Sequence, residues 1–163
     1  MLRSKVLATL RARTRFATDF FEREQMKARV KWKNEASFLA ESGSGHTVLM
    51  DGPPEAGGKN SGPRPMEMLL MGTGGCAAFD VVMILKKSRQ DISDCVVEVE
   101  AERAAQEPKV FTRIHFHFIL TGKKLNSAQV ERAIKLSAEK YCSASIMLAK
   151  TAELTHDFEI VEE

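Results

Sequence analysis

The sequence predicts an α+β fold with antiparallel sheets and one long buried helix. Three observations carry that prediction. Short stretches of alternating apolar and polar residues run up to Met50, as strands do. An apolar run from Pro65 to Leu85 has the length and pattern of a buried helix. Two longer alternating stretches, 95–105 and 109–120, then lead into helical patterns and a closing strand. A chain of 163 residues, 44% hydrophobic and 28% charged, has an ordinary globular composition and suffices to bury a core without disulfides or metal.

The elements follow in order. Residues 1–25 are expected to be a basic helical extension. Arg3, Lys5, Arg11, Arg13 and Arg15 occur with no acidic residue before Thr18, and Leu2, Val6, Leu7 and Leu10 fall at helical spacing. Such a segment suits a targeting peptide, a surface helix for anionic partners, or an appendage outside the core fold that ends near Met26. Residues 26–163 are expected to form the folded domain. Val30 and Trp32 open a strand, 36–40 continues it, and 47–50 is a third, giving a small meander. Residues 51–65 are rich in Gly, Pro, Asn and Ser, which is loop chemistry. His46, beside Gly45, reads as a turn residue.

Pro65 suits a first helical turn. The run behind it is apolar on nearly all sides, which predicts burial all round. Gly72, Gly74 and Gly75 interrupt it, each costing about 1 kcal/mol relative to alanine. Close approach of another backbone, or room for a substrate beside Cys76, would offset that cost. The apolar surplus also predicts an obligate dimer. Residues 127–140 read as an amphipathic helix capped by Asn126 or Ser127, 143–150 as a short apolar helix, and 153–161 as a last strand.

Charge and composition exclude several functions. The net charge of +2 gives the whole chain no strong bias toward nucleic acid. No apolar run is long and uninterrupted enough to be expected to span a membrane. Three cysteines do not make a disulfide scaffold, so a reducing, cytoplasmic compartment is expected. His115 and His117 alternate along a strand and share a face, and without a third ligand nearby they are read as a polar strand face, not a metal site. Cys95, at a strand start, is assigned to packing.

Cys76 and Cys142 carry the chemistry. Cys76 follows the glycine cluster, and Cys142 lies where one helical pattern stops and another starts, close to Lys140. A helix start and a nearby cation lower a thiol pKa. Two thiols, one attacking and one resolving, suffice to reduce a peroxide. As a purely structural alternative, Cys76 is a buried small hydrophobe and Cys142 a helix-end thiol. Glu67, in the first helical turn, suits either dipole complementation or catalysis.

The stretch Pro65-Met66-Glu67-Met68-Leu69-Leu70, with Gly74-Gly75-Cys76-Ala77 and Asp80-Val81-Val82, resembles the first cysteine helix of the OsmC/Ohr family. Tyr141-Cys142-Ser143-Ala144-Ser145 resembles its second cysteine motif, and the order of elements from Met26 to Glu163 is similar, above all to a YhfA-type branch. The resemblance implies an OsmC-like fold, an intertwined homodimer with paired central helices, and thiol-dependent reduction of organic hydroperoxides without a cofactor or metal. It implies Cys76 as the attacking thiol, Cys142 as the resolving thiol, Glu67 as an orienting carboxylate, and an external dithiol as reductant. No nucleic-acid or membrane partner is implied. Aligned on Gly72 and Cys76, the family's glutamate falls at Met66, one residue before Glu67, and 38–50 contains no arginine to hold a thiolate. A non-enzymatic redox sensor or apolar-ligand-binding dimer is the alternative expectation.

Overall fold

The computed structural model describes residues 26–163; the expected basic extension over 1–25 lies outside the described residues. The chain divides into two compact units, the first ending at Arg64 and the second spanning Pro65–Glu163.

The first unit contains the expected meander. Strands β1 (Ala28–Asn34), β2 (Ser37–Ser42) and β3 (Thr47–Met50) form one antiparallel sheet in sequential order. Val30 pairs with Ala40 and Leu39 with Leu49, and a register shift lies between Trp32 and Asn34. Gly45, with φ +86°, turns the chain from β2 to β3, and Ser44 Oγ lies 3.1 Å from His46 Nδ1. Val30, Trp32, Phe38 and Leu49 are all exposed. Asp51 is the one buried residue among those described in this unit. Its carboxylate accepts from Ser37 Oγ, the Gly52 N–H, the Lys59 and Ser61 N–H groups and Ser61 Oγ, at 2.7–3.0 Å. The loop therefore closes on a charge. Gly62 has to be glycine there, because a Cβ would collide with the Leu49 carbonyl.

The second unit holds the apolar core. Helix α1 (Pro65–Lys87) is followed by β4 (Asp91–Arg103), β5 (Phe111–Lys123), α2 (Ser127–Leu136), a π-helical turn (Ser137–Tyr141), α3 (Ser143–Leu148) and β6 (Glu153–Glu162). β4 pairs with β5 antiparallel, with Val97 opposite Phe118 and Val99 opposite Phe116. β5 pairs with β6 parallel, with Phe118 opposite Phe158. This corrects the expectation of purely antiparallel sheets. The helical connection from 124 to 152 carries the chain back to the beginning of β5, so β6 enters in the same direction. Ile114, Phe116, Phe118 and Leu120 of β5 are buried against Val81, Leu85, Val130 and Ile134.

α1 departs from the expected burial on all sides. Thr73, Ala77, Val81 and Leu85 form its buried stripe at four-residue spacing. Gly72, Gly75, Phe79 and Met83 are exposed on the opposite side. Gly74 explains how the helix approaches β4, since a Cβ there would lie 3.1 Å from Val99 Cγ2. Around Gly72 and Gly75 a Cβ would meet nothing within 4 Å. Helix length also corrects the membrane expectation. At 23 residues α1 is long and apolar enough to cross a bilayer. Its buried stripe packs against the core of this unit.

The expected helix over 127–140 stops being α-helical at Leu136. Asn126 caps α2 by accepting the Gln129 N–H at 3.1 Å. At the other end Ser137 Oγ donates to Asp80 Oδ2 on α1 at 3.3 Å, and the Cys142 N–H reaches back to the Ser137 carbonyl at 2.9 Å. The extra residue in that turn ends one helix and presents Cys142 as the first cap of the next.

Candidate functional site

The two cysteines meet. Cys76 projects from the middle of α1 and Cys142 from the N-cap of α3, sixty-six residues later. Their sulfurs and a carboxylate oxygen of Asp80 all lie within 4.8 Å of one another. All three cysteines are free thiols. Cys76 and Asp80 are four residues apart on one helix, so they share a face. Both are half-buried, at the margin between the packed stripe of α1 and its open side, whereas Cys142 is fully buried.

Buried hydroxyls hold the arrangement. Ser145 donates to Cys142 Sγ through its hydroxyl at 3.1 Å and its N–H at 3.4 Å. Ser137 positions Asp80 as described. Burial pushes the Cys76 thiol above its ordinary pKa; the neighbouring Cys142 and the Asp80 carboxylate add to the rise, and the Ala144 N–H pulls against it. The sequence points the same way for Cys76, since 38–50 contains no arginine to hold a thiolate. Cys142 caps its helix from within the core.

Two spaces adjoin the site. A cavity of about 350 Å³ is lined by Ala77, Phe116, Ile134, Ser137, Ser145 and Leu154. An open groove of about 760 Å³ has Asp80, Met83, Leu136 and Tyr141 among its walls, with Arg132 also lining it.

Glu67 lies elsewhere. Nine residues separate it from Cys76, which in a regular helix is about 13 Å of rise and half a turn of rotation. It lines a pocket with Leu70, Gly74, Val97 and Val99, on the β4 side of α1. Within one chain Glu67 is therefore not brought to the thiols. Cys95 packs against the core from β4, and burial, with Asp94 adding, pushes its thiol up to about 11. His115 and His117 do share the outer sheet face. Asp157 of β6 joins them, with Oδ1 2.6 Å from His117 Nδ1 and 3.3 Å from His115 Nε2.

Asp80, Ser137 and Ser145 were not assigned to the site from the sequence. Two signals were present. Asp80 follows Cys76 at a four-residue helical spacing, and Ser145 stands at the third position after a cap residue, where a hydroxyl meets the cap side chain.

Comparison with known proteins decides the family. The OsmC-like protein family model matches residues 58–157, a span that contains both cysteines and Asp80. The chain belongs to the OsmC family. It is 54% identical over 139 residues to protein YhfA of Escherichia coli K12, covering 83% of this chain and 98% of that protein. The OsmC-like protein of Mycoplasma pneumoniae superposes with a TM-score of 0.73 at 15% identity, covering 85% of this chain and 98% of that one. The organic hydroperoxide resistance protein OhrB of Bacillus subtilis superposes with a TM-score of 0.59 at 16% identity, covering 83% and 98%. At such identities these two structures establish the OsmC-like fold.

Proposed function

We propose that this OsmC-family protein reduces organic hydroperoxides by a two-cysteine mechanism. The observation that carries the reading is the placement of two free sulfurs within 4.8 Å from separate helices. Its kinship with a family that includes organic hydroperoxide resistance proteins supports a peroxide-directed role. Cys76 is the attacking thiol because it is the more accessible of the two. Its thiolate attacks the peroxide oxygen, the O–O bond breaks, and the alkoxide leaves as alcohol after taking a proton. Asp80, within 4.8 Å of the Cys76 sulfur, relays the thiol proton through a water. Cys76 is left as a sulfenic acid. Attack by Cys142 forms the disulfide and releases water. An external dithiol then restores the pair, as suits a reducing compartment such as the cytoplasm. Phe79, Leu69 and Met147, all exposed near the cysteine helices, favour an organic substrate over hydrogen peroxide.

The working form is a homodimer. Gly72 and Gly75 face open space while Phe79 and Met83 are exposed beside them, a surface suited to a second copy of α1. Sedimentation velocity at low micromolar concentration should give a dimer. Gly75→Leu should weaken it without unfolding the chain, since nothing within 4 Å opposes the added side chain. A monomeric parent protein would refute the assignment.

A redox sensor is the second reading, and the raised Cys76 pKa favours it, since a protonated thiol reacts slowly. One assay separates the two. Reduced, chelator-treated protein should consume cumene hydroperoxide over many turnovers with a dithiol present. Cys76→Ser should abolish consumption. Oxidation that stops after one equivalent of peroxide would favour the sensor, and no consumption above the dithiol background would sink the enzyme.

A further inference from the structure

We propose that Cys76, Cys142 and Asp80 together bind one thiophilic divalent cation, with zinc as the type, in the reduced protein. The three donors come from two elements and already converge, with their ligand atoms within 4.8 Å of one another. A tetrahedral zinc dithiolate with Zn–S bonds near 2.3 Å places its sulfurs about 3.8 Å apart. Side-chain rotation supplies any remaining contraction, at most about 1 Å. Two sulfurs and a carboxylate oxygen are donor types that zinc accepts, and two thiolates select against magnesium and calcium.

The shell behind the ligands is built. Ser145 donates twice to Cys142 Sγ, and Ser137 donates to Asp80 Oδ2, leaving the other carboxylate oxygen for a cation. Both serines are buried. Such outer partners fix ligand orientation in metal sites. The groove lined by Asp80, Met83, Leu136 and Tyr141 gives an entry path to a site whose second sulfur is buried. Three protein ligands leave a fourth position for water.

Binding releases the two thiol protons as the thiolates take the cation. Cation and disulfide then exclude each other, because both use the same two sulfurs. Reaction with an organic hydroperoxide removes two electrons from the thiolates to make the S–S bond. The peroxide takes those electrons and two protons to become alcohol and water, and the cation is released. The site shares its thiols with the peroxidase reading and stands without it.

The test is cobalt titration of tag-free, full-length, reduced protein under anaerobic conditions, followed by zinc displacement. One equivalent of cobalt should produce a thiolate-to-cobalt charge-transfer band with tetrahedral visible bands, and zinc should abolish both. Cys142→Ala, checked for folding by circular dichroism, should lose the band. Asp80→Asn should keep thiolate ligation and weaken affinity about 10-fold or more. The preformed disulfide should bind no cobalt, which needs no variant. The paired substitution His115→Gln with His117→Gln should leave the band unchanged. Absence of the band in the reduced protein, its survival in folded Cys142→Ala, or its loss in the histidine variant would each overturn the proposal. Metal-free protein that turns over peroxide yet shows no band would refute this site alone. Protein that shows the band yet consumes no peroxide would refute only the peroxidase reading.

Discussion

The two units of this chain are organised by opposite means. In the second unit, buried aliphatic and aromatic side chains of α1, β5 and α2 define the interior, and the thiol site is set into its edge. In the first, most apolar residues of the strands are exposed and the buried group is a carboxylate. Five donated hydrogen bonds hold Asp51, with Ser61 the largest influence, and keep its pKa well below the usual carboxylate range. The apolar interior is made by many interchangeable contacts. The Asp51 loop depends on one residue that has no substitute.

The largest effect should follow from damaging the apolar interior. Leu85 is fully buried at the end of the α1 stripe. Leu85→Ala should lower stability by about 3 kcal/mol through lost transfer energy and a residual cavity. Urea denaturation followed by circular dichroism measures it. A shift of the midpoint too small to resolve would show that this helix is not anchored as described.

Asp51→Ala should act more locally and more selectively. Without the carboxylate, the Gly52, Lys59 and Ser61 N–H groups lose their acceptor. Their amide exchange should rise sharply while the amides of β5 keep their protection. The pH dependence has a definite sign. A lowered native pKa stabilises fully above the unfolded value of about 4 and is lost as pH falls below it. Loop protection should therefore fade on acidification before that of β5. Equal loss in both places would contradict the contrast between the units.

Smallest should be the effect of the exposed pair on the outer face of the second sheet. The Asp157 hydrogen bond raises the His117 pKa, with Asp157, Glu159 and Glu98 adding charge, and His117 lowers that of Asp157. The histidine contribution is complete below about 6.5 and is lost as pH rises through the native value; the aspartate contribution is lost below about 4. Asp157→Asn should bring the His117 titration, followed by proton NMR, back toward 6.5 with little change in stability. An unchanged midpoint would remove Asp157 as the cause.

The contrast between the units also shows what a sequence reveals. Apolar periodicity located the strands of both units and the α-helices of the second to within about four residues, because regular hydrogen bonding and one-sided burial leave a period, whereas the short 3-10 turn Pro54–Ala56 was read as loop. Cys76 and Cys142 were legible because thiols are few and both stand at helix landmarks. The direction of β6 was not, since a strand's residues carry no record of which neighbour it joins. The π-helical turn was hidden because Ser137–Tyr141 keeps a helical composition and its extra residue is set by contacts to α1. Burial of α1 was overestimated, since periodicity shows that a face is apolar and not what covers it. Asp80 went unassigned because one carboxylate on an apolar helix acquires meaning only when Cys142 arrives from another element. Asp51 was read as loop, and only the folded loop shows five donors turned toward it.

The central claim is that Cys76 and Cys142 form one redox unit. Peptide mapping under non-reducing conditions, after one equivalent of cumene hydroperoxide, tests it most directly. The account predicts an intramolecular Cys76–Cys142 disulfide as the main product. It also predicts a trappable sulfenic acid on Cys76 in Cys142→Ser, and no change in the mapped disulfide in Cys95→Ser. A main product containing Cys95, or oxidation of Cys76 that never reaches Cys142 in the parent protein, would contradict it.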